Sequence, residues 1–221
     1  MKGYTTTRYA YSPKRRVVWR EICRWLNRRW IPASARILEL GCGYGDFIGH
    51  ISGTDKLAIE KDRNFSAYLN KLLDVKVLWD DALAALSRLP ASSRDVVFAS
   101  NFFEHFSLAD VQRQLAEILR VLTPRGRLIV VQPNFKLCAA DYFDDWTHCT
   151  VFSHVSFCDL LAVSGFEVAR IEAKFLPFSL KSKWPVLPLL VRCYLSSPFK
   201  PGAAQFLVVA AKPSPGENRG T

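Results

Sequence analysis

The sequence predicts an α/β fold, with a mainly parallel β-sheet covered by helices on both faces. From residue 36 onwards, short apolar segments of strand length alternate with amphipathic helical segments, which is the pattern of a parallel sheet. Hydrophobic residues make up 49% of the 221 residues and charged residues 23%, as in packed globular proteins. No apolar run reaches the roughly 18 residues of a spanning helix. The composition therefore excludes a disordered, collagen-like or membrane-spanning chain and favours one substantial domain.

The first element is a basic amphipathic helix, predicted over Arg15–Trp30 and ended by Pro32. Its arginines recur every four residues, at Arg16, Arg20, Arg24 and Arg28. Residues 1–36 contain ten Lys and Arg and one acid, whereas residues 37–172 contain thirteen Lys and Arg and eighteen acids. Residues 173–212 contain six Lys and Arg and no acid. The net charge of +10 therefore comes from two basic ends around an acidic body.

Seven strand patterns and three further helix patterns follow the basic helix. The strands are predicted at Arg36–Leu40, Lys56–Glu60, Lys76–Leu78, Asp95–Ser100, Arg127–Gln132, Phe166–Lys174 and Gln205–Ala211. The helices are predicted at Asn64–Leu73, with Asn64 as N-cap, at Leu108–Leu122 and at Ser156–Val163. A turn is predicted at Thr123–Gly126, directly before the fifth strand.

Two long segments, 133–155 and 176–204, interrupt the alternation of strands and helices. Irregular segments of this length inside a compact domain are usually functional or flexible. We therefore divide the chain into a basic arm at 1–35, an α/β domain at 36–212 that includes both segments, and a disordered tail at 213–221.

A glycine-rich loop follows the first strand, where three glycines alternate with other residues at 41, 43 and 45. This spacing allows a sharp turn and brings a ligand close to the start of the next helix. The third glycine stands one position earlier than in a dinucleotide fingerprint, which favours a nucleoside with an amino-acid tail over a pyrophosphate. Glu60 ends the second strand, where a carboxylate can accept both ribose hydroxyls. Asp80 or Asp81 follows the third strand and can accept the exocyclic amine of an adenine.

These motifs resemble those of the class I S-adenosylmethionine-dependent methyltransferases. The matching segments occur in the expected order across roughly residues 36–175, as ELGCGYGDF at 39–47, AIEKD at 58–62, WDDA at 79–82, DVVFASNFFEH at 95–105 and LTPRGRL at 122–128. The resemblance implies a Rossmann-like sheet of seven strands, the last one antiparallel and inserted beside the sixth. It also implies that 133–155 and 176–204 are insertions on the acceptor side.

The resemblance further implies that S-adenosylmethionine is the cofactor. Its methionine end would lie against Glu39, Gly41, Cys42, Gly43, Tyr44, Gly45 and Asn101, its ribose against Glu60, and its adenine against Asp80 or Asp81 with Ala82. Tyr4, Arg8 and Tyr9 would either close over the cofactor as a lid or belong to a solvated tail.

Two polar clusters compete for the acceptor side of the site. Glu104 and His105 directly follow the fourth strand, and the segment DYFDDWTH at 141–148 follows the fifth, at the sheet edge where ligands bind in open α/β folds. A hydroxyl acceptor needs a base near its line of attack, and the candidates are His148, Asp145 and His105. No metal site is predicted, since no standard zinc pattern matches the spacing of His148, Cys149, His154 and Cys158.

The acids, histidine and aromatic residues of 141–148 suit a polyhydroxylated acceptor. The segments PNF at 133–135 and KFLPFS at 174–179 also resemble a bacterial branch of the superfamily associated with glycan biosynthesis, which implies O-methylation of a sugar or a lipid-linked glycan. An RNA methyltransferase that uses the arginine stripe is the alternative, although the acidic acceptor segment would repel phosphates. A non-catalytic module that binds S-adenosylmethionine is the third hypothesis.

The sequence also bears on location. Six cysteines without a CxxC pair, and with no signal peptide before them, indicate reduced thiols and a cytoplasmic protein. The helix at 15–30 and the segment at 181–200 combine cations with large apolar groups, as proteins that bind an anionic membrane surface do; the tryptophans among them are Trp19, Trp25, Trp30 and Trp184. The plainer interpretation is that the helix packs its apolar side on the sheet and that 181–200 forms a second covering helix.

Overall fold

A computed structural model describes residues 9–177 and 186–214. The helices are α1 (Pro13–Arg29), α2 (Ser66–Leu69), α3 (Ala82–Arg88), α4 (Leu108–Val121), α5 (Phe135–Cys138), α6 (His154–Val163) and α7 (Pro188–Ser196). The strands are β1 (Arg36–Leu40), β2 (Asp55–Ile59), β3 (Val75–Leu78), β4 (Arg94–Ser100), β5 (Leu122–Pro133), β6 (Glu167–Pro177) and β7 (Ala203–Ala211). Short 3₁₀ turns lie at Arg63–Phe65, Phe103–His105 and Tyr142–Asp144.

The seven strands form one sheet in the order β3-β2-β1-β4-β5-β7-β6. Strands β1 to β5 pair in parallel, and β7 lies antiparallel between β5 and β6. The predicted Rossmann-like sheet, with its last strand inserted beside the sixth, is therefore confirmed. Because β1 to β5 are parallel, the loops that follow them meet at one edge of the sheet, and this edge carries the site.

Helices cover both faces of the sheet. On one face, α4 places Val111, Leu115 and Ile118 in a buried cluster with side chains of α3, α6 and the sheet. These residues recur at the spacing of one helix face, and Ser107 caps the helix by accepting the N–H of Asp110. Burial of each such side chain contributes about 1.5–3 kcal/mol, so this face anchors the strands whose ends build the site.

The other face is covered by α1, with α7 beside it. Helix α1 buries Trp19 and Trp25 against the sheet and exposes the arginines of the predicted stripe, Arg16, Arg20, Arg24 and Arg28. Glu21 is buried and accepts from Arg192 of α7 at 2.6 Å. The plainer interpretation of the basic helix is therefore the one observed, and Trp19 and Trp25 do not face outwards. Trp184 lies outside the described residues.

Three local predictions are corrected. Asn64 does not cap its helix: the Asp62 carboxylate accepts the N–H of Asn64 at 2.9 Å and starts a 3₁₀ turn, because a side-chain acceptor two residues ahead satisfies that donor. The helix then ends at Leu69 rather than Leu73. The turn predicted at Thr123–Gly126 lies inside β5, where the pairing with β4 shifts register and Arg125 has a φ of +62°.

The structure also bears on the longer segments. The predicted covering helix in 181–200 is α7, which occupies Pro188–Ser196. Residues 215–221 of the predicted tail are outside the described ranges. Within residues 9–177 and 186–214, no helix has the length and apolar character to cross a membrane. The domain boundaries remain a prediction.

Candidate active site

The glycine loop turns sharply at the carboxyl end of β1. Gly41, Gly43 and Gly45 have φ values of +64°, +52° and +73°, which side chains of L-residues rarely adopt. A Cβ atom on Gly43 would lie 2.7 Å from Cε1 of Tyr9, and one on Gly41 would lie 2.8 Å from Cδ2 of Phe102. Conformation and close packing therefore both require glycine at these positions.

Glu60 ties the loop to the turn after β2. One carboxylate oxygen accepts the N–H of Gly43 at 2.8 Å, and the other accepts the N–H of Asp62 at 2.8 Å. The side chain is largely buried beside the loop. Each oxygen keeps a further lone pair, so the carboxylate can also accept from a ligand hydroxyl. The predicted ribose residue thus lies against the predicted methionine loop.

Glu39, on β1, holds the segment that follows the glycine loop. It is buried, and its carboxylate accepts the N–H of Ile48 at 3.0 Å, a donor that a regular helix would direct to residue 44. The helix expected after the loop is accordingly a series of turns over residues 43–50. Burial also raises the pKa values of Glu39 and of the Cys42 thiol well above their ordinary range. Cys42 is therefore a protonated packing residue and not a nucleophile.

Aromatic residues cover the loop. Tyr9 packs on Gly43 and against Tyr44, with ring centroids 5.3 Å apart. The Arg15 guanidinium lies 4.2 Å from the centre of the Tyr9 ring and forms an ion pair with Asp46 at 2.5 Å. Tyr9 therefore covers the loop as a lid would, whereas Tyr4 and Arg8 are outside the described residues.

The acids after β3 have different roles. Asp81 caps α3 by accepting the N–H groups of Leu83 and Ala84. Asp80 forms an ion pair with Arg88, an exposed side chain that a ligand can displace. Ala82 is buried in the first turn of α3. Because the cap is part of the helix, the geometry favours Asp80 over Asp81 as the residue that accepts from adenine.

Asn101 directly follows β4 and lies in the left-handed region, with a φ of +46°. Its side-chain oxygen accepts from Nε2 of Gln205, on β7, at 3.2 Å. It is exposed at the carboxyl edge of the sheet, one residue before Phe102, the side chain that packs on Gly41. Asn101 is thus linked to the loop through its neighbour.

The two acceptor clusters that the sequence presents as alternatives form one site. The backbone N–H groups of Cys149 and Thr150 donate to the carbonyl oxygen of Glu104, at 2.9 and 3.2 Å. This pairing holds the 141–150 segment over the turn that follows β4. The rings of His105 and His148 lie 5.0 Å apart as a result.

Hydrogen bonds fix the orientation of both imidazole rings. Nδ1 of His148 donates to the carbonyl oxygen of Tyr142 at 2.7 Å, so Nε2 carries the lone pair in the neutral ring. Asp145 accepts the hydroxyl hydrogen of Thr147 at 2.6 Å, which leaves the Thr147 oxygen to accept from Nδ1 of His105 at 2.9 Å. His105 is oriented by Asp145 through Thr147, a residue that the sequence analysis did not select.

Burial determines the charge of this cluster. It lowers the pKa of His105, and the neighbouring His148 lowers it further, although the carbonyl groups of Thr147 and Asn101 oppose the change. Burial also raises the pKa of Glu104 to about 8. The neutral imidazole of His105, which can accept a proton, is therefore favoured near pH 7.

Glu104, which the sequence places in one of the two competing clusters but not among the candidate bases, belongs to this site. One ligand-type atom from each of Glu104, His105 and His148 lies within 4.8 Å of the others. The sequence shows only the Glu104-His105 pair, because His148 joins it through the pairing of two segments distant along the chain. The sequence predicts no metal site, and within the described residues Cys149, His154 and Cys158 do not belong to the group of ligand-type side chains that the structure brings together.

Comparisons with known proteins agree with this geometry. A family described as a methyltransferase domain matches residues 38–130. A search of curated proteins gave no match. Among solved structures, a SAM-dependent methyltransferase from Archaeoglobus fulgidus is 20% identical, with a TM-score of 0.65 and coverage of 87% of this chain and 94% of that one.

Two further structures share the fold. A chain from the complex of the Haloferax volcanii Trm112 methyltransferase activator with a methyltransferase is 15% identical, with a TM-score of 0.67 and coverage of 90% and 91%. The [4+2]-cyclase SpnF is 18% identical, with a TM-score of 0.65 and coverage of 89% and 82%. Residues 38–130 thus match a methyltransferase domain, and the described chain shares its fold with solved SAM-dependent methyltransferases. Both findings support S-adenosylmethionine as the cofactor.

Proposed function

We propose that this methyltransferase methylates a hydroxyl group of a sugar, a glycan or another small polyhydroxylated acceptor. The observation that carries the proposal is the pair of oriented imidazoles, His105 and His148, at the turn after β4. Phe102 of this turn packs on Gly41 of the loop that would hold the cofactor. Each ring has its Nδ1 proton directed to a fixed acceptor, which leaves Nε2 as the basic nitrogen. A base of this kind is what a hydroxyl acceptor requires.

The residues of the glycine loop fit the cofactor. Glu60 would hold the ribose, Asp80 the adenine amine, and the backbone around Gly41 and Gly43 the methionine end. The positive φ values and the absence of side chains on the glycines allow a ligand to approach the backbone there. S-adenosylmethionine supplies a methyl group on a positively charged sulfur. Alignment of that group with an acceptor is the main contribution of the protein.

The surface beside the histidines supports a carbohydrate acceptor. Phe143 and Trp146 are 58% and 75% exposed, which is unusual for large apolar residues, and they flank Asp144. Exposed aromatic rings stack on the apolar faces of sugars, while carboxylates accept hydroxyl hydrogens. The exposed acids of this segment, Asp141 and Asp144, would repel a phosphate backbone, so it suits a neutral glycan better than RNA.

The test uses the full chain with radiolabelled S-adenosylmethionine and fractionated bacterial extract. We expect label in a carbohydrate fraction, resistant to ribonuclease and to mild alkali, and released by acid hydrolysis as an O-methyl monosaccharide. His148→Ala should reduce labelling by roughly 100-fold, a typical contribution of general acid–base catalysis. Asp145→Asn, which weakens the link to His105 through Thr147, should reduce it by a smaller factor, and both variants should keep the cofactor affinity of the wild type. His154→Gln, in a histidine outside the cluster, is the matched control.

Other outcomes separate the competing hypotheses. Label that ribonuclease removes would establish the RNA alternative, which the exposed arginines of α1 support. Cofactor binding without transfer to any fraction would favour the non-catalytic module. If His105→Ala loses activity and His148→Ala does not, then the base is His105 and our assignment of His148 is wrong.

We also propose that this protein contacts an anionic membrane surface through α7. Leu189 and Leu190 are 68% and 60% exposed on this helix, and Leu187 and Phe199 are exposed beside it. The arginine stripe of α1 lies on the neighbouring helix, which Arg192 joins to α7 through Glu21. Each cation near an anionic surface contributes about 1 kcal/mol, and apolar side chains at its edge add to this attraction.

Sedimentation with liposomes tests the surface. We expect the protein to sediment with anionic liposomes at low salt and to remain in solution at high salt. The double variant Leu189→Ser/Leu190→Ser should lose the association. The control double variant Leu73→Ser/Val163→Ser removes two apolar side chains that are even more exposed elsewhere, and it should bind normally. Wild-type protein that stays in the supernatant at low salt would disprove the contact.

A further inference from the structure

Glu104 is the most unusual charged residue in the described part of the chain. Its side chain is fully buried, and neither carboxylate oxygen has a hydrogen-bond partner among the described residues. The N–H groups of Phe102 and of Glu104 itself lie near the carboxylate and stabilise its charge, but burial outweighs them. A buried carboxylate without a partner is costly, so its retention beside two histidines calls for an explanation.

The surroundings of Glu104 are those of a metal ligand. The ligand-type atoms of Glu104, His105 and His148 all lie within 4.8 Å of one another. Donor atoms that bind one ion at 2.0–2.2 Å lie about 3–4 Å apart, so small side-chain rotations would bring the three together. Asp145 adds a second negative charge close to Glu104 and to His105.

Both histidines are also held as metal-binding histidines usually are. Such rings donate the N–H that faces away from the ion to a carbonyl group or towards a carboxylate, which fixes the ring and its tautomer. Nδ1 of His148 donates to the Tyr142 carbonyl, and Nδ1 of His105 is linked through Thr147 to Asp145. In both neutral rings the remaining nitrogen, Nε2, has the lone pair that an ion requires.

We propose that Glu104, His105 and His148 bind a divalent first-row transition-metal ion, of the type of Zn²⁺, Co²⁺ or Mn²⁺. Two imidazoles and one carboxylate suit these ions better than Ca²⁺ or Mg²⁺, which prefer oxygen ligands. Three protein ligands leave positions for water or for a ligand oxygen, which distinguishes a catalytic from a structural site. The ion keeps Glu104 ionised in the interior.

This inference deepens the proposed function, and the chemical role of the ion rests on that function. If the acceptor is a hydroxyl compound, the ion would bind the acceptor oxygen and make its hydroxyl easier to deprotonate. The histidines would then act as ligands, and the hydroxyl proton would pass to water instead of to an imidazole. The binding of the ion itself depends on the cluster alone and needs neither acceptor nor cofactor.

The test is a titration of the full chain, stripped of metal with a chelator, with CoCl₂ and separately with MnCl₂. Calorimetry and the visible absorption of Co²⁺ report binding. We expect one ion per chain, and at least a 100-fold lower affinity in Glu104→Gln and in His148→Ala. His154→Gln is the matched histidine control, and Cys149→Ser tests whether the exposed thiol beside His148 contributes. Both controls should bind as wild type.

A stability measurement covers the case in which a variant folds poorly. Without metal, Glu104→Gln should melt at or above the wild-type temperature, because it replaces a buried carboxyl group that has no hydrogen-bond partner among the described residues by a neutral amide of the same shape. With Co²⁺, wild-type protein should become more stable and Glu104→Gln should not. Absence of binding in wild-type protein, or binding lost in Cys149→Ser and kept in Glu104→Gln, would overturn the proposal.

The ion site and the proposed function can be refuted independently of each other. Metal binding without methyl transfer to any fraction would leave the ion site standing and contradict the proposed hydroxyl chemistry. Transfer to a glycan that persists undiminished in metal-free protein, with no binding of Co²⁺ or Mn²⁺, would leave the proposed function standing and refute the ion site.

Discussion

The cofactor half and the acceptor half of the site are built in different ways. In the cofactor half, Gly41, Gly43 and Gly45 belong to one short segment, and Glu60 reaches them from the neighbouring strand β2. In the acceptor half, His105 and His148 come from segments far apart along the chain, which meet through two backbone hydrogen bonds to Glu104. The first half is determined locally, whereas the second exists only when the fold is complete.

The two halves also differ in the interactions that maintain their shape. Backbone geometry shapes the cofactor half, since three glycines with positive φ values and two backbone N–H groups define it. Side-chain hydrogen bonds shape the acceptor half, where the half-buried residues Asp145, Thr147 and His105 form a chain. Single substitutions should therefore separate cofactor binding from turnover.

The largest expected effect is that of Gly43→Asp on the cofactor half. Its side chain would meet Tyr9, strain a positive φ and place a carboxylate beside Glu60. We expect the affinity for S-adenosylmethionine, measured by calorimetry, to fall by about 3 kcal/mol or more, which is roughly a hundredfold. Gly202→Asp is the control, because Gly202 has a φ of +66° but no atoms nearby. Wild-type affinity in Gly43→Asp would refute the assignment of the loop.

A smaller effect in the same half is expected for Glu60→Ala. Loss of the carboxylate removes the ribose acceptor and the acceptor of the Gly43 N–H. The affinity for the cofactor should fall by about 1–3 kcal/mol. Glu60→Gln keeps one acceptor oxygen, so its affinity for the cofactor should lie between those of the wild type and Glu60→Ala. Metal affinity of the acceptor half should not change, and a change there would show that the halves are coupled.

Thr147→Val tests the acceptor half. The substitution keeps the shape of the side chain and breaks the link from Asp145 to His105. Turnover should fall roughly three- to tenfold, as expected for a positioning hydrogen bond worth about 1 kcal/mol, with cofactor affinity unchanged. Thr147→Ser, which restores the hydroxyl, should recover activity. Failure of that rescue would indicate a packing role instead.

Asp95→Asn tests an ion pair between β1 and β4, the strands that carry the glycine loop and the turn with His105. Asp95 at the start of β4 pairs with Arg36 at the start of β1, and this ion pair lowers the pKa of Asp95 to about 2. The pair is partly exposed, so we expect a loss of about 1 kcal/mol in the free energy of unfolding at pH 7. The lowered pKa stabilises the fold above about pH 4, and this contribution disappears as the pH falls towards 2. Urea unfolding at several pH values should show the difference shrinking below pH 4, and a constant difference would contradict the ion-pair explanation.

The same contrast explains what the sequence could predict. The strands and the glycine loop follow from local patterns, and the loop residues and Glu60 lie together as expected. The single acceptor site could not be predicted, because the burial of Glu104 and its approach to His148 depend on how the 141–150 segment folds back. Thr147 has no sequence signal, since only its position between Asp145 and His105 gives it a role. Asn64 does not act as a cap because Asp62, two residues earlier, accepts the backbone N–H of Asn64 and starts a 3₁₀ turn there.

The position of β7 has a consequence for the order in which the chain folds. Strands β5 and β6 do not pair with each other, and both pair with β7, which follows them in the sequence and is therefore synthesised later. Until then β5 has an open edge, although its residues Leu128, Ile129, Val130 and Val131 are among the most apolar of the sheet. Open apolar edges favour association between chains. The nascent protein therefore passes through an aggregation-prone stage that ends only with the synthesis of Ala203–Ala211, and its yield in a cell depends on protection during that interval.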